Sequence, residues 1–220
     1  LGLFSLVSDP AAVQRMMSNS PTPTTNLSQD KFEQLLFDQL PDSAKVRFEH
    51  AWQDFVPSAE GCTSTLTGPK GETVVVKSHY LIGADGAGSR VRKAVGANMV
   101  GPDKLQTFIN IHFTADLREL LSGREGILYW VMEKECEGTF IAHDIDSNWI
   151  FMKTVDADES IDPIDEKKYS ALLHKAIGAD VDVTINSMNA WRMTAQISDA
   201  YQSGRVFLAG DAAHRFPPTG

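Results

Sequence analysis

Two glycine-containing turns in the chain each follow a short apolar run and contain an aspartate. The first run leads into Asp85 and Gly86, and the second leads into Gly210 and Asp211. Glycine lets the backbone approach a bulky ligand, and an aspartate can accept a hydrogen bond from a sugar-like hydroxyl. In open α/β folds, ligands bind beside the turns that follow the carboxyl ends of strands. We therefore predict that both turns border one nucleotide-sized cleft.

Each turn also has a purely structural explanation. Asp-Gly pairs are common in turns of any fold, and Asp211 could simply cap a following helix. The first turn is more specific when taken with its surroundings, because Ser89 can cap the next helix and Arg92 continues it. Both motifs in this order, with a long segment inserted between them, are hard to explain by chance. We interpret His214, beside the second turn, as a packing residue.

Sequence periodicity predicts the elements that must position these turns. Apolar residues recur at helical spacing over 31–40 and 162–178, while alternation or short apolar runs predict strands elsewhere. Turn residues at 68–71 join two of these strands, so a small antiparallel meander is expected ahead of the first motif. The predicted strands cover residues 45–50, 62–67, 72–77, 79–84, 105–114, 127–132, 138–143, 149–155 and 205–209.

The order of these elements predicts a mixed fold of the α/β class with α+β character. A partial Rossmann-like nucleotide-binding domain carries both turns, and a mostly antiparallel sheet is inserted between them. We expect residues 1–98 and 191–220 to belong to the nucleotide-binding domain, and residues 99–190 to form the inserted substrate-binding sheet. Trp191 begins the return segment, and we interpret it as a packing residue.

Composition excludes several functional classes. A formal net charge of -9, from 29 acidic and 20 basic residues with the basic ones scattered, argues against a nucleic-acid partner. Cys62 and Cys136 form no CxxC pair, so we expect two reduced thiols, no disulfide and no metal site. No apolar run is long enough to cross a bilayer, and none resembles a signal peptide, so we expect a cytoplasmic location.

The strand predicted after the first turn could contribute the wall of a pocket. Its alternation places Phe108, Asn110 and His112 on one face, which mixes polar groups with an aromatic ring. We hypothesise that this face, with Trp130 or Phe140, contacts a substrate. The alternative is that the face is simply the solvent-exposed side of the sheet.

The two turns resemble the Asp-Gly and Gly-Asp fingerprints of the class A flavoprotein monooxygenases, the family of p-hydroxybenzoate, phenol and polyketide hydroxylases. The resemblance spans nearly the whole chain. Residues 27–29 are similar to the family segment whose glutamine touches the flavin nucleotide, and residues 217–220 resemble the loop beside the isoalloxazine ring. The resemblance implies FAD as cofactor and NAD(P)H as cosubstrate. The residues that it assigns to the cofactor are Gln29, Asp85, Gly86, Arg90, Gly210, Asp211, Pro218 and Gly220.

The same resemblance implies hydroxylation of a phenolic or related aromatic substrate with dioxygen, in which the flavin carries the difficult chemistry. In the family, the Asp-Gly segment lies near the FAD pyrophosphate and serves NAD(P)H, and the Gly-Asp segment holds the ribityl chain. The family's opening GxGxxG segment is absent and both ends look cut, so we expect this chain alone to be inactive. The alternatives are a reductase or other oxidoreductase of the same fold, or a truncated flavin-free binding module.

Overall fold

The structure is a computed structural model that describes residues 10–20, 22, 26–156 and 163–217. Within these residues the helices are α1 (Pro10–Asn19), α2 (Gln29–Asp38), α3 (Arg90–Ala94), α4 (Arg118–Leu121) and α5 (Glu166–Ile177), with a 3₁₀ turn at Gly210–Ala212. The strands are β1 (Ala51–Pro57), β2 (Cys62–Thr67), β3 (Thr73–Ser78), β4 (Leu81–Gly83), β5 (Met99–Val100), β6 (Gln106–Thr114), β7 (Leu128–Val131), β8 (Gly138–Asp144), β9 (Asn148–Val155), β10 (Thr184–Met193), β11 (Gln196–Ser198), β12 (Gln202–Ser203), β13 (Val206–Leu208) and β14 (His214–Arg215).

Contacts along the chain define two compact units. The large-sheet unit combines residues up to Leu40 with Gln106–Trp191, and the two-turn unit combines Pro41–Leu105 with residues from Arg192 onward. These units are defined by packing and not by what each binds. The predicted boundaries between nucleotide-binding and substrate-binding domains therefore stay a prediction.

The large-sheet unit is built on five strands in the order β10-β6-β9-β8-β7. The pairs β6-β9, β9-β8 and β8-β7 are antiparallel, as the sequence predicts for the inserted sheet. Alternate residues of β6 point into the core, where Ile109, Ile111 and Phe113 are completely buried. They pack with Tyr169 and Leu173, the buried residues of α5. Helix α5 therefore covers one face of this sheet.

Helix α5 confirms the helix predicted over 162–178, with ends that its sequence explains. The side chain of Asp165 accepts a hydrogen bond from the backbone amide of Lys168 at 3.0 Å and caps the first turn. Gly178 has φ of 70° and ends the helix in the left-handed conformation that glycine adopts without strain. The helix thus begins after Pro163 and Asp165 and not at them.

The two-turn unit contains three small sheets. Strands β1, β2 and β3 form the predicted antiparallel meander, and β14, β11 and β5 form a second sheet. In the third sheet, β13 lies between β12 and β4 and pairs with β4 in parallel. Gly83 of β4 permits close packing of α3, because a Cβ at this position would lie 2.7 Å from the Cβ of Val91. Any larger residue at Gly83 would push that helix away from the strand.

One predicted strand is wrong. Residues 45–50 form no strand, and the first strand of the meander is β1, which begins at Ala51. The chain turns just before it, with Glu49 at φ of 59°, and Phe48 is 72% exposed. The alternation of Val46 and Phe48 therefore did not mark a buried strand face, because strand formation depends on pairing with β2 that begins only at Ala51.

Helix α2 confirms the helix predicted over 31–40, starting two residues earlier. Its apolar residues form one stripe, but none is buried within the described part of the chain, and Phe32, Leu35 and Leu36 are each about half exposed.

Among the described helices, none is long and apolar enough to span a membrane.

Candidate functional site

The two predicted turns meet at one edge of a sheet. Strands β4 and β13 run parallel, with Gly83 paired to Leu208, and the amide of Ala209 donates to the carbonyl of Gly83 at 2.9 Å. Asp85 lies two residues beyond the end of β4, and Asp211 lies three residues beyond the end of β13. Because carboxyl ends of neighbouring parallel strands lie side by side, the two turns share this edge.

The carboxylate of Asp85 is held within its own turn. Its Oδ1 accepts a hydrogen bond from the Oγ of Ser89 at 2.5 Å, and its Oδ2 accepts from the backbone amides of Arg90 at 2.6 Å and Val91 at 3.2 Å. Partial burial works against ionisation, but these hydrogen bonds outweigh it and lower the pKa of Asp85. Both oxygens therefore serve to shape the turn and to cap α3.

Ser89 caps α3 as the sequence predicts. It is fully buried, and its Oγ accepts a hydrogen bond from the backbone amide of Arg92 at 2.9 Å while donating to Asp85. The hydroxyl thus links the aspartate of the turn to the first turn of the helix.

Arg92 fastens the two turns to each other. Its guanidinium donates through Nη1 to the carbonyl of Ala212 at 2.9 Å and through Nη2 to the carbonyl of Ala87 at 2.8 Å. The side chain is only 5% exposed, and burial together with the nearby charge of Arg215 lowers the pKa of Arg92. Arg215 also donates to the carbonyl of Ala87, at 3.1 Å. We call Arg92 and its two carbonyl acceptors the arginine clamp.

The second turn leaves its acid group free for a ligand. Asp211 is exposed, and its carboxylate makes no hydrogen bond to any residue that the structure describes. Gly210 and Gly86 have φ of 57° and 78°, and a Cβ at either position would meet no atom within 4 Å. Open space beside backbone of this kind is what a bulky cofactor requires. The Nδ1 of His214 and the Nε of Arg215 lie buried nearby in sequence without a partner among the described residues.

These features fit a dinucleotide cofactor. The exposed carboxylate can accept hydrogen bonds from hydroxyl groups, the open glycines admit close approach, and two buried nitrogens have unused hydrogen-bonding capacity. Within the described residues, no group of three or more His, Cys, Asp or Glu side chains is placed to hold a metal ion, and Cys62 and Cys136 are buried free thiols.

The remaining predicted cofactor residues have different placements. Arg90 belongs to the two-turn unit and directs its exposed guanidinium to the carbonyl of Trp52 at 3.3 Å. Gln29 is the first residue of α2 in the large-sheet unit, where its Nε2 donates to Glu33 at 2.6 Å. Pro218 and Gly220 lie outside the described residues.

The large sheet brings together the four residues predicted to contact a substrate. Phe108, Asn110 and His112 lie on the face of β6 that points away from the core. Trp130 shares that face. It pairs with Thr139, which pairs with Met152, which in turn pairs with Asn110, so these side chains form one row across the sheet. We call this surface the open face, since α5 covers the opposite one.

The hypothesis named Phe140 as an alternative to Trp130 on this face, and that part of it is wrong. Phe140 is 6% exposed and lies in the core, where its ring centroid is 4.6 Å from that of Phe151. It pairs with Tyr129 and not with Trp130, so it points to the face that α5 covers. Trp191, which the sequence analysis interpreted as a packing residue, stacks on Phe108 with ring centroids 5.3 Å apart and so adds an aromatic ring to the open face.

Comparison with known protein families matches residues 4–220 to the family described as FAD binding domain. The chain belongs to this family. Among curated relatives, tetracenomycin B2 monooxygenase-dioxygenase of Streptomyces olivaceus is 33% identical over 205 residues, which cover 91% of the chain and 38% of the relative. The 2,4-dichlorophenol 6-monooxygenase of Cupriavidus pinatubonensis is also 33% identical, over 209 residues that cover 91% of the chain and 35% of the relative.

Solved structures of flavin enzymes have the same fold as this chain. The flavin-dependent monooxygenase PieE, in complex with FAD and substrate, superposes with a TM-score of 0.86 at 31% identity, over 96% of the chain and 38% of that protein. Aklavinone-11 hydroxylase, in complex with FAD and aklavinone, has a TM-score of 0.83 at 32% identity, over 94% of the chain and 41% of that protein. The predicted fold class and family are confirmed, and the chain spans well under half the length of these relatives.

We expect the stabilising effect of Asp85 to depend on pH. Its pKa is lower in the folded chain than the value of about 3.9 for an unfolded aspartate, so its stabilisation is complete above that value and is lost as pH falls through the folded pKa. At pH 7, Asp85→Ala should reduce the free energy of unfolding by about 1 kcal/mol, as loss of a helix cap does. Urea unfolding between pH 7 and pH 3 should show this difference shrinking at the acidic end.

The matched control for this experiment is Asp103→Ala, since Asp103 is an exposed aspartate of the same unit. It should leave the free energy of unfolding unchanged at every pH. A difference between wild type and Asp85→Ala that is constant from pH 7 to pH 3 would contradict the charged cap.

We expect removal of the arginine clamp to destabilise the chain. Arg92→Met keeps an unbranched side chain but deletes both hydrogen bonds, so it should lower the free energy of unfolding by about 2 kcal/mol in urea titrations. Arg90→Met is the matched control, because Arg90 is exposed and its two side-chain hydrogen bonds, to Trp52 at 3.3 Å and to Gln53 at 3.5 Å, are longer; its effect should stay within about 0.5 kcal/mol. Equal losses in the two variants would refute the clamp.

Proposed function

We propose that the chain is part of an FAD-dependent monooxygenase that hydroxylates a phenolic or related aromatic compound with NAD(P)H and dioxygen. The observation that carries this proposal is the parallel pairing of β4 with β13, which sets both fingerprint turns at one sheet edge. The names of the relatives support it, since they include a dichlorophenol monooxygenase, a polyketide hydroxylase and an aklavinone hydroxylase. NAD(P)H, the aromatic compound and dioxygen are the proposed partners.

The residues of the two-turn unit would hold FAD. Gly86 and Gly210 would let the backbone approach the cofactor, and the free carboxylate of Asp211 would accept hydrogen bonds from its ribityl hydroxyls. Asp85 would act through the shape of its turn, because its oxygens are already hydrogen-bonded. Contacts of Arg90 with NAD(P)H, and contacts of Gln29, Pro218 and Gly220 with the flavin, stay predictions. A cytoplasmic location also stays a prediction.

FAD, when bound, supplies the redox and oxygen-transfer chemistry, so the chain's own residues have to bind, orient and exclude water. The open face of the large sheet offers apolar and aromatic surface for a substrate ring through Phe108, Trp130 and Trp191. Polar side chains on the same face would fix how that ring is oriented. We accordingly propose that residues 99–190 bind the substrate, and that 1–98 and 191–220 bind the cofactor.

Turnover by the complete protein tests the proposed reaction. Purified with FAD, it should consume dioxygen and NAD(P)H in a reaction that an aromatic compound stimulates, and ¹⁸O₂ should label the product with one oxygen atom. Mass spectrometry of the product and an oxygen electrode provide these measurements. Oxidation of NAD(P)H with an aromatic compound present, but without any oxygenated product, would favour a reductase instead.

The role of Asp211 can be tested separately from turnover. Asp211→Ala in the complete protein should weaken FAD binding by roughly tenfold or more, because a hydrogen bond to a charged group contributes about 1.5–3 kcal/mol. The free energy of unfolding of the apoprotein should not change, since the side chain is exposed. Fluorescence titration with FAD measures the affinity, and Asp103→Ala is the control. Unchanged FAD affinity in Asp211→Ala would exclude the assigned contact.

A further inference from the structure

The turn that contains Asp211 is attached to a small three-stranded sheet of the same unit. The central strand of this sheet is β11, which lies between β14 and β5. The amide of Ser198 on β11 donates to the carbonyl of Ala213 at 2.7 Å, and the amide of Ala213 donates to the carbonyl of Gly210 at 2.8 Å. The position of β11 therefore determines where the second turn lies.

The same sheet also contacts the first turn. Gln196 of β11 pairs with Arg215 of β14, and directly paired residues share a face of a sheet. From that face the guanidinium of Arg215 donates to the carbonyl of Ala87 at 3.1 Å. Through β14, the strand β11 is thus connected to both of the turns that border the proposed cofactor site.

Gly101 determines how closely the chain approaches the start of β11. It follows β5 directly, and its φ of 120° is a conformation that residues with a side chain rarely adopt. A Cβ at this position would lie 2.3 Å from the carbonyl oxygen of Ala195, the residue before β11. The two backbone segments are also hydrogen-bonded to each other. The amide of Ala195 donates to the carbonyl of Pro102 at 3.0 Å, and the buried side chain of Gln196 donates to the carbonyl of Gly101 at 3.3 Å.

Any side chain at position 101 would force these two segments apart. Cβ contacts shorter than 3.0 Å are essentially never found, so the carbonyl oxygen of Ala195 would have to move from 2.3 Å to at least 3.0 Å, a displacement of about 0.7 Å. Backbone hydrogen bonds vary in length by only about 0.5 Å, from roughly 2.7 to 3.2 Å. β11 and β14 would therefore have to move together to keep their hydrogen bonds, and the turn that contains Asp211 would move with them.

We propose that Gly101 is a positioning residue for FAD. The close approach of its backbone to Ala195 fixes β11, and β11 in turn holds the carboxylate of Asp211 where it accepts hydrogen bonds from the cofactor. This inference rests on the proposed function, because it takes Asp211 as a contact of FAD. In this role Gly101 acts through Asp211 and makes no contact with FAD of its own. Its effect on FAD affinity should therefore exist only while the Asp211 carboxylate is present.

A double-mutant cycle in the complete protein tests this proposal. Fluorescence titration of the apoprotein with FAD gives the Kd of wild type, Gly101→Ala, Asp211→Ala and the double variant. Gly101→Ala should raise the Kd about fivefold in wild type but by less than about twofold in the Asp211→Ala background, since residues that act through one another are not additive. Visible circular dichroism at saturating FAD should also change in Gly101→Ala, because this signal reports the surroundings of the bound flavin.

Gly61→Ala is the matched control for a loss of stability. A Cβ at Gly61 would lie 2.1 Å from the carbonyl oxygen of Ser78, so this substitution creates a comparable backbone clash in the meander of the same unit. The meander shares no strand with the sheet of β14, β11 and β5. Gly61→Ala should therefore lower the free energy of unfolding, as Gly101→Ala does, but leave the Kd for FAD and the visible circular dichroism unchanged.

The outcomes separate this inference from the proposed function. An equal rise in Kd for Gly101→Ala with and without the Asp211 carboxylate would overturn the inference, and so would a Gly61→Ala variant that weakens FAD binding equally. Such additive effects together with oxygenated product from phenols would overturn the positioning role alone. Coupled effects without any oxygenated product would support that role and count against the monooxygenase. Wild type that binds no FAD would overturn both.

A second variant keeps the test valid if Gly101→Ala fails to fold. Gln196→Leu removes the side-chain hydrogen bond to the carbonyl of Gly101 without creating a backbone clash. It should raise the Kd for FAD by a smaller factor, and this rise should again disappear in the Asp211→Ala background. A rise that persists there would overturn the positioning role.

Discussion

The parallel pairing of β4 with β13 is the constraint on which the cofactor site depends. These two short strands are separated by more than a hundred residues of sequence, yet their register sets Gly83 beside Leu208 and so brings two glycine turns to one edge. Three ladder pairs alone make a weak connection. The arginine clamp reinforces it, since one buried guanidinium binds a carbonyl in each turn. Charge-assisted hydrogen bonds of this kind are stronger than those between neutral groups.

The aspartates of the two fingerprint turns have different roles in the structure. Asp85 directs both carboxylate oxygens inward, to a serine hydroxyl and two backbone amides, whereas Asp211 keeps its carboxylate exposed. Two aspartates at the ends of neighbouring strands thus serve different purposes. Asp85 maintains the shape of its turn, and Asp211 is available to a ligand. The large-sheet unit makes a similar division between its faces. One face packs under α5, and the other carries the half-buried aromatic and polar side chains.

Sequence reasoning succeeded where the determining signal was local. Strand, glycine turn and serine cap all lie within residues 80–92, and the strict alternation of β6 correctly placed Phe108, Asn110 and His112 together on one face. It failed where the outcome depended on pairing between distant segments. The alternation at 45–50 found no partner strand, and Phe140 was placed on the wrong face because the register of β7 with β8 cannot be derived from composition. The role of Arg92 was equally inaccessible, since its acceptors are backbone carbonyls, one of them 120 residues away.

The internal hydrogen bonding of Asp85 has a consequence for how a cofactor associates. The turn is already ordered by the carboxylate of Asp85, by Ser89 and by the arginine clamp. Its conformational entropy is therefore lost during folding and not during binding. Such preorganisation removes part of the entropic penalty of association, so that a ligand meets a rigid cradle and loses little affinity to loop ordering. The segment 85–92 would then behave as a fixed template, and differences in affinity among ligands would arise from dissociation rates more than from slow closure of the loop.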